Sequence, residues 1–274
     1  MKQWVIGFIA VATVLGAGAS KGLVKTVRAD DVEINESSFP DESFRQHVST
    51  QYDLDHDGRL MEKERNLVTE INVNYTERIS DLTGIELFPN LEILKCQQNP
   101  LTTLDLSKNT NLTYVNCAFS QIASLNLSKN TKLQTLYCNS NKLTELDVSK
   151  NTELTFLDCD TNKISKIDVS KNTKLRSLYC QDNGLTDLNL GKSNIEYLDC
   201  WWNNTLESLD LSGCSALKRL NCSTTIISEL DVSHCPNLLY MNLTACVRLK
   251  SLDLSKNPNC EELISISLAL KRWI

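Results

Sequence analysis

Apolar positions recur along the chain with a period of 21 residues. One unit reads Leu133-x-x-Leu136-x-Cys138-x-x-Asn141-x-Leu143-x-x-Leu146, and the next repeats this pattern from Leu154. The units begin near Leu91, Leu112, Leu133, Leu154, Leu175, Ile195, Leu217 and Leu238, after a degenerate unit at Val68 and before a broken one at Cys260. One coil of this length cannot bury its own apolar side, so the pattern predicts stacked coils that share a continuous core.

The first half of each unit predicts a short strand. Its spacing resembles the leucine-rich-repeat motif LxxLxLxxNxL, with cysteine at the third apolar position. Stacked strands would form a parallel sheet with rungs about 4.8 Å apart. We therefore predict an α/β-type solenoid, a leucine-rich-repeat horseshoe whose concave side is a parallel β-sheet of nine or ten repeats.

Seven of the 11 cysteines follow the same period. The series from Cys96 to Cys180 has a spacing of 21 residues, and Cys200 and Cys222 continue it. This regularity indicates packing of a small apolar side chain, because no CxxC pair or histidine-rich metal motif accompanies it. Cys214 and Cys235 lie one coil apart. The geometry of stacked coils disfavours a disulfide between them, but this pairing stays open as an alternative.

An asparagine three residues after each cysteine forms a second column, at Asn99, Asn141, Asn162 and Asn183. Its amide can satisfy backbone groups that the turn after the strand leaves without partners. Ser120, Thr225 and Cys246 replace asparagine in three units, and we expect those rungs to be looser. Near Asn194–Ile195 one residue is missing and near Trp201–Leu206 one is added, which predicts a local break.

A small helical cap is predicted before the repeats, over residues 33–66. Phe44, Val48 and Tyr52 share one helix face, and Asp41 can cap that helix. The following stretch matches the EF-hand calcium loop, with Gly58 at the sharp turn and Leu60 at the apolar position. The predicted ligands are the carboxylates of Asp53, Asp55, Asp57 and Glu64 and the backbone carbonyl of Arg59. A single loop favours a structural Ca²⁺ over a calcium sensor, and an acidic turn that binds no metal is the alternative.

The first 29 residues are interpreted as a signal peptide and a short leader. Lys2 precedes an uncharged apolar run, Val5 to Ala19, that is shorter than the roughly 20 residues needed to span a bilayer. Cleavage is expected after Ala19 or Ala29, and an uncleaved anchor is the alternative. The repeats then occupy residues 67–274, and we expect a secreted or surface-associated monomer.

The exposed positions of each strand should line the concave face. Five of the seven tyrosines fall there, and Trp201 follows on the same side with Trp202 beside it. Such aromatic side chains are enriched in binding hot spots. The predicted partner-binding residues are Tyr114, Tyr137, Phe156, Asp158, Tyr179, Tyr197, Asp199, Trp201 and Tyr240. Aromatic residues also favour exposed sheet positions by propensity alone, which is the competing interpretation.

Net charge and the absence of catalytic motifs argue against two classes of function, nucleic-acid binding and catalysis. The formal net charge is −6 and no basic run occurs, so nucleic acid is not an expected partner. No nucleophile elbow or zinc motif is present. Asp158 and Asp199 are expected two rungs apart, roughly 10 Å, which is long for a glycosidase pair. We therefore predict that the protein is not an enzyme.

From about residue 35 onward the chain resembles bacterial surface leucine-rich-repeat proteins of the internalin family, in the form that carries a cysteine ladder. The resemblance rests on the cysteines from Cys96 to Cys222 and on copies of the stretch Leu104–Asn109. The segment Ile79–Ile85 is similar to the one that leads into internalin repeats. In that family the cap resembles a trimmed EF-hand, whereas the loop here is intact. No wall-sorting signal or immunoglobulin-like domain follows the repeats, so surface anchoring is left open.

The resemblance implies protein binding through the concave face. A recognition module for a protein partner is therefore the leading prediction. Carbohydrate binding through stacked aromatic rings, or an architectural spacer in a larger surface protein, are the alternatives.

Overall fold

A computed structural model describes residues 31–76 and 78–265, and the predicted signal peptide lies outside these ranges. One parallel sheet of ten strands runs the length of the repeats. Its strands are Glu70–Asn72 (β3), Ile93–Lys95 (β4), Tyr114–Asn116 (β5), Thr135–Tyr137 (β6), Phe156–Asp158 (β7), Ser177–Tyr179 (β9), Tyr197–Asp199 (β11), Arg219–Asn221 (β12), Tyr240–Asn242 (β13) and Glu262–Ile264 (β14).

The predicted solenoid is confirmed, and helices are few. The described helices are α1 (Glu42–Gln51), α2 (Glu62–Arg65) and a short 3-10 helix at Ile85–Leu87. The segments that return from one strand to the next consist mainly of turns. Neither α-helix has the length and apolar character needed to cross a bilayer, within the described ranges.

Strand pairing places equivalent residues of successive repeats side by side. Tyr114 pairs with Thr135 and Thr135 with Phe156, while the central Val115, Leu136 and Leu157 form a continuous column. These central side chains are buried. The residues on either side of them point to the opposite face of the sheet, as the alternation along a strand requires. The predicted concave columns are therefore confirmed.

All 11 cysteines are buried and none forms a disulfide, which confirms that the cysteine column packs the core. Burial raises the pKa of the Cys117 thiol to about 12, and the pKa of Cys159 is raised well above its ordinary value for the same reason. Cys214 and Cys235 are not joined by a disulfide. The pKa of Cys246 is instead lowered to about 6, mainly by its hydrogen bond with Cys222. A buried, neutral thiol such as Cys117 behaves as a small apolar side chain, so it fits a narrow coil.

Asparagine side chains join most coils to the preceding one. Five of them follow the strands and are called the turn asparagines: Asn99, Asn141, Asn162, Asn183 and Asn203. The Nδ2 of Asn162 donates to the carbonyls of Cys138 and Cys159, both at 3.1 Å, and its Oδ1 accepts from the N–H of Leu143 at 2.9 Å. At the equivalent Ser120, the buried hydroxyl has no hydrogen-bond partner. The predicted role of these amides is confirmed.

A second set, the core asparagines, closes the opposite side of the coils at Asn109, Asn130, Asn151, Asn172 and Asn257. The Nδ2 of Asn151 donates to the carbonyl oxygens of Leu127 at 3.1 Å and Asn130 at 2.8 Å. Both carbonyls belong to the coil that precedes the coil of Asn151. In all five residues Oδ1 is buried without a hydrogen-bond partner. Their amide donors, not their acceptors, hold the coils together.

The irregular spacing near residue 194 coincides with a local change of structure. Strands Lys166–Asp168 (β8) and Asp187–Asn189 (β10) form a small parallel sheet of their own just before it. Gly191 has a φ of +57°, and a Cβ on Gly213 would lie 1.9 Å from the Gly191 carbonyl oxygen. The two glycines allow the backbones of adjacent coils to approach closely where the repeat changes length.

The cap packs on the first coil through aromatic and polar contacts. Asp41 caps α1, since its Oδ1 accepts from the N–H of Phe44, as predicted. Its Oδ2 accepts from the N–H of Ser80 at 2.8 Å, which connects the cap to the segment before the repeats. The ring of Tyr52 lies edge-on to Phe88, with centroids 5.5 Å apart. Strands Val32–Glu33 (β1) and Arg59–Leu60 (β2) pair within the cap.

Asn151→Ala is expected to lower the free energy of unfolding by about 2 kcal/mol, because two buried hydrogen bonds are lost. Asn90→Ala is the matched control: its Nδ2 also donates to a carbonyl, that of Asn66, but at an exposed position. There water replaces the amide, and the loss should stay below about 0.5 kcal/mol. Urea unfolding of the two variants measures the difference. Equal losses would contradict the role of the core asparagines.

Candidate functional site

Four aromatic rings form a continuous track across the concave face. This aromatic track consists of Tyr114, Tyr137, Phe156 and Tyr179. Neighbouring ring centroids are 5.9 Å, 4.7 Å and 5.5 Å apart, from Tyr114 to Tyr179. The rings alternate between the two exposed columns of strands β5, β6, β7 and β9, so they run in a zigzag along the stack. The structure brings together four of the predicted partner-binding residues.

The remaining aromatic residues of the face lie farther along the stack. Tyr197 is 38% exposed, on the strand beside Tyr179. The Tyr240 ring lies under the guanidinium of Arg219, whose Cζ is 4.3 Å from the ring centroid. Trp201 and Trp202 stack on each other with centroids 5.5 Å apart and an interplanar angle of 18°.

Trp202 has a left-handed backbone with a φ of 56°, the conformation that the equivalent turn residue of every neighbouring coil adopts. This turn rotates Trp202 back toward Trp201. The sequence predicted that Trp202 flanks the face. It did not predict the stacking, because a tryptophan residue does not by itself indicate the left-handed backbone that Trp202 adopts. A shallow depression on the sheet is lined by Tyr179, Tyr197, Leu198, Asp199, Arg219, Leu220, Asn221 and Tyr240.

Three half-buried carboxylates lie beside the aromatic track and are called the carboxylate cluster: Asp158, Asp160 and Asp199. Asp158 pairs in register with Tyr179, and Tyr179 with Asp199, so one tyrosine separates the two acids. Asp160 follows Asp158 on the same coil, and its Oδ2 accepts from Nε2 of Gln181 at 2.5 Å. Gln181 is a neighbour that sequence reasoning did not select.

Burial makes this cluster a poor place for negative charge. It raises the pKa of Asp158 to about 7, and repulsion from Asp160 adds to the effect. Burial also raises the pKa of Asp199 to about 6, although the backbone N–H of Trp201 opposes the shift. The pKa of Asp160 is raised by burial and by the charge of Asp182. Each carboxylate therefore holds its proton more tightly in the folded protein than in the unfolded chain.

The predicted calcium loop folds into a tight acidic turn. One carboxylate oxygen from each of Asp53, Asp55 and Asp57 lies within 4.8 Å of the others. Asp53 is buried, and its two oxygens accept from the N–H groups of Asp57 and Gly58. Gly58 has the left-handed φ of +80° that the loop requires. An all-oxygen donor set at this spacing fits a hard cation such as Ca²⁺.

The fourth predicted carboxylate has a different position. Glu64 is buried, and its oxygens accept from the N–H of Leu54 at 3.0 Å and of Met61 at 2.8 Å. It lies outside the group of three oxygens that share the 4.8 Å sphere. Arg59 belongs to β2, and its guanidinium pairs with Glu33 at 2.8 Å. Glu64 thus closes the loop onto α2 in this structure.

Comparison with known proteins agrees with this geometry. The family model described as leucine-rich repeats in two copies matches residues 131–172. Internalin J from Listeria monocytogenes serotype 4b (strain F2365) is 36% identical over 85 residues, which are 31% of this chain and 9% of that protein. The solved functional domain of internalin J from Listeria monocytogenes, described as including a cysteine ladder, aligns with 89% of this chain and 72% of its own at 27% identity, with a TM-score of 0.50.

The chain has the leucine-rich-repeat fold, and its repeats are similar to those of internalin J. Internalin C2 from Listeria monocytogenes shares the fold, with a TM-score of 0.62 over 88% of this chain and 98% of that one, at 20% identity. Because the matched region is 9% of internalin J, the activity and partners of that whole protein do not transfer to this chain directly. The internalin-type fold is one that serves protein interaction.

Asp158→Asn is expected to stabilise the protein at pH 8 and to have little effect at pH 4. The folded state raises the Asp158 pKa from 3.8 to about 7, so the free energy of unfolding falls as the pH rises between these values. Removing the charge should recover about 2 kcal/mol above pH 7, after allowance for solvent screening. Thermal unfolding at both pH values measures this difference.

The control for that experiment is Asp147→Asn on the opposite, solvent-exposed side. The Asp147 pKa is lowered by hydrogen bonds from Ser149, so this variant should gain no stability at pH 8. A gain of the same size in both variants would mean that the effect comes from net charge and not from burial at the concave face.

Proposed function

We propose that the protein is a secreted recognition module that binds a protein partner through its concave face. The aromatic track is the observation that carries the proposal. Its four rings contact one another while remaining partly exposed, so their position is fixed before a ligand arrives. A preorganised aromatic surface loses little side-chain entropy on binding.

The alternative origin of the track, sheet propensity alone, does not account for its continuity. Propensity would place aromatic residues on exposed strand positions independently in each coil. Instead, successive coils alternate the column, which brings rings of neighbouring strands into contact. The predicted export of the chain is consistent with a partner outside the cell, and a monomer presents the whole face to it.

Substitution of two rings should remove partner capture. Purified wild-type protein and a Tyr137→Ala/Tyr179→Ala variant would be used as baits against surface and secreted extracts, with captured proteins identified by mass spectrometry. We expect at least one specific partner that the variant captures at least tenfold less. The matched control, Tyr75→Ala/Phe119→Ala, removes two exposed rings outside the track and should retain capture.

Two outcomes would contradict the proposal. Capture that is lost equally in the control variant would indicate general stickiness of exposed aromatic residues. Capture that is unchanged in both variants would favour a spacer role, in which the concave face is not used.

Carbohydrate binding is the second candidate, favoured by the stacked pair Trp201 and Trp202. The nearly parallel indole rings offer a flat apolar surface, and the backbone N–H of Trp201 bonds to the polar side chain of Asp199. Sugar rings stack on such surfaces while their hydroxyls bond to the polar groups. A glycan array with the wild type and a Trp201→Ala variant tests this candidate separately from protein capture.

We also propose that the acidic loop holds a structural Ca²⁺ between α1 and α2. Asp53, Asp55 and Asp57 would supply carboxylate oxygens and Arg59 its carbonyl, and Glu64 would join them by turning one oxygen toward the ion. Bound calcium would stabilise the cap by neutralising three neighbouring acids. The repeats would not depend on it, because their coils are bonded to one another.

Calcium removal should lower the melting temperature of the cap and leave the repeats folded. Thermal unfolding in 5 mM calcium (about five times a dissociation constant on the order of 10⁻³ M) or excess chelator measures this. The variant Asp55→Asn/Asp57→Asn should respond to neither condition. The control Glu36→Gln/Glu42→Gln changes two acids outside the loop and should behave as the wild type. Identical wild-type melting with and without calcium would reject a calcium site.

A further inference from the structure

In the part of the chain that the structure describes, no lysine or arginine forms a salt bridge with the carboxylate cluster. In residues 31–76 and 78–265, none of the ion pairs includes Asp158, Asp160 or Asp199. Arg219 lowers the pKa of Asp199, but its guanidinium lies over the ring of Tyr240. One oxygen of Asp199 is also inaccessible to solvent and has no hydrogen-bond partner. Within the described ranges, the negative charge of this cluster is therefore compensated only in part, by Arg219 near Asp199.

The aromatic track lies against the same carboxylates. Tyr179 separates Asp158 from Asp199, and its ring contacts Phe156, which in turn contacts Tyr137. An aromatic face attracts a cation, and the attraction is strongest where water is partly excluded. The carboxylates and the aromatic ring faces both attract a positively charged group, so in this arrangement they favour the same ligand. Charge complementarity thus identifies the chemistry of the occupant.

The three acids do not form a compact metal-ligand group within the described ranges, so a ligand with several separated cationic groups fits their spacing better than one small ion. Within the described ranges, the group of three acidic side chains with ligand oxygens inside 4.8 Å of one another is in the cap loop. Asp158, Asp160 and Asp199 are more widely spread, because Asp158 and Asp199 are two rungs apart. A guanidinium has five N–H donors in a flat fork, and a peptide can supply several such groups at rung-like intervals.

We propose that the concave face recognises a cationic segment of its protein partner, in which arginine or lysine side chains contact Asp158, Asp160 and Asp199 and lie against Tyr137 and Tyr179. The inference rests on the proposed function, since it concerns the partner of the same face. The segment pairs its charges with the carboxylate cluster and its methylene stems with the tyrosine rings.

Binding of such a segment requires the carboxylates in their ionised form. The titratable or charged groups that face them are Asp182, Tyr137, Tyr179, Tyr197 and Arg219. The pKa values of Tyr137 and Tyr179 are raised by burial, so these phenols stay neutral between pH 5 and 8. Asp158, with a pKa of about 7, and Asp199, with a pKa of about 6, gain protons as the pH falls through this range. Affinity should fall in the same direction.

The test uses a fluorescent hexa-arginine peptide as the probe and its hexa-citrulline analogue as the neutral control, in about 0.1 M salt. Fluorescence anisotropy with the purified full chain should show hexa-arginine binding at pH 8 that is at least tenfold weaker at pH 5. Hexa-citrulline should not bind. The variant Asp158→Asn/Asp199→Asn should bind hexa-arginine at least tenfold more weakly at pH 8.

The matched control, Asp147→Asn/Asp168→Asn, changes net charge by the same amount on the opposite side and should stay within twofold of the wild type. Circular dichroism confirms that each variant is folded. An equal loss in both variants, or no hexa-arginine binding by the wild type, would overturn the proposal. If Tyr137→Ala/Tyr179→Ala still abolishes partner capture in that case, concave-face recognition stands and its cationic chemistry is wrong.

Discussion

Most coils of this solenoid turn through positions where backbone carbonyls need further hydrogen-bond donors, and asparagine amides provide them. The turn asparagines act beside the sheet, as Asn162 does between the coils of Cys138 and Cys159. The core asparagines act on the other side, as Asn151 does toward Leu127 and Asn130. Buried polar groups must be paired, so the coils can stack only in the register that aligns these amides with their acceptors. That register in turn sets the positions of all concave side chains.

Much of this arrangement follows from the sequence because the repeat period fixes both the register and the exposed columns. The order of Tyr137, Asp158 and Tyr179 along the stack is a direct result of spacing. Other features depend on contacts that no spacing encodes. The stacked indoles require the left-handed turn at Trp202, and the closure of Glu64 onto the N–H of Leu54 depends on how the cap folds. The burial that raises the pKa of Asp158 likewise depends on the surrounding side chains.

The concave face combines features with opposite effects on stability. Contacts among the four rings of the aromatic track contribute favourable packing, whereas the half-buried acids beside them oppose folding once ionised. A sheet under selection for stability alone would carry neutral side chains at Asp158 and Asp199. The opposite side of the solenoid shows what such a surface is like: there Asp147 and Asp168 accept hydrogen bonds from the turn serines Ser149 and Ser170 in full contact with water.

The hydrogen bonds that the core asparagines donate also point in one direction along the stack. Asn151 bonds to the coils before it, and so does Asn130, down to Asn109, whose acceptors are the carbonyls of Ile85 and Phe88. Those two carbonyls belong to the first residue of the 3-10 helix at Ile85–Leu87 and to the residue that ends it, in the first coil of the stack. A unit duplicated in frame within the array would bring its own donor and meet acceptors already in place. The number of coils could therefore grow by simple gene duplication, while the segment that begins the stack had to arise only once.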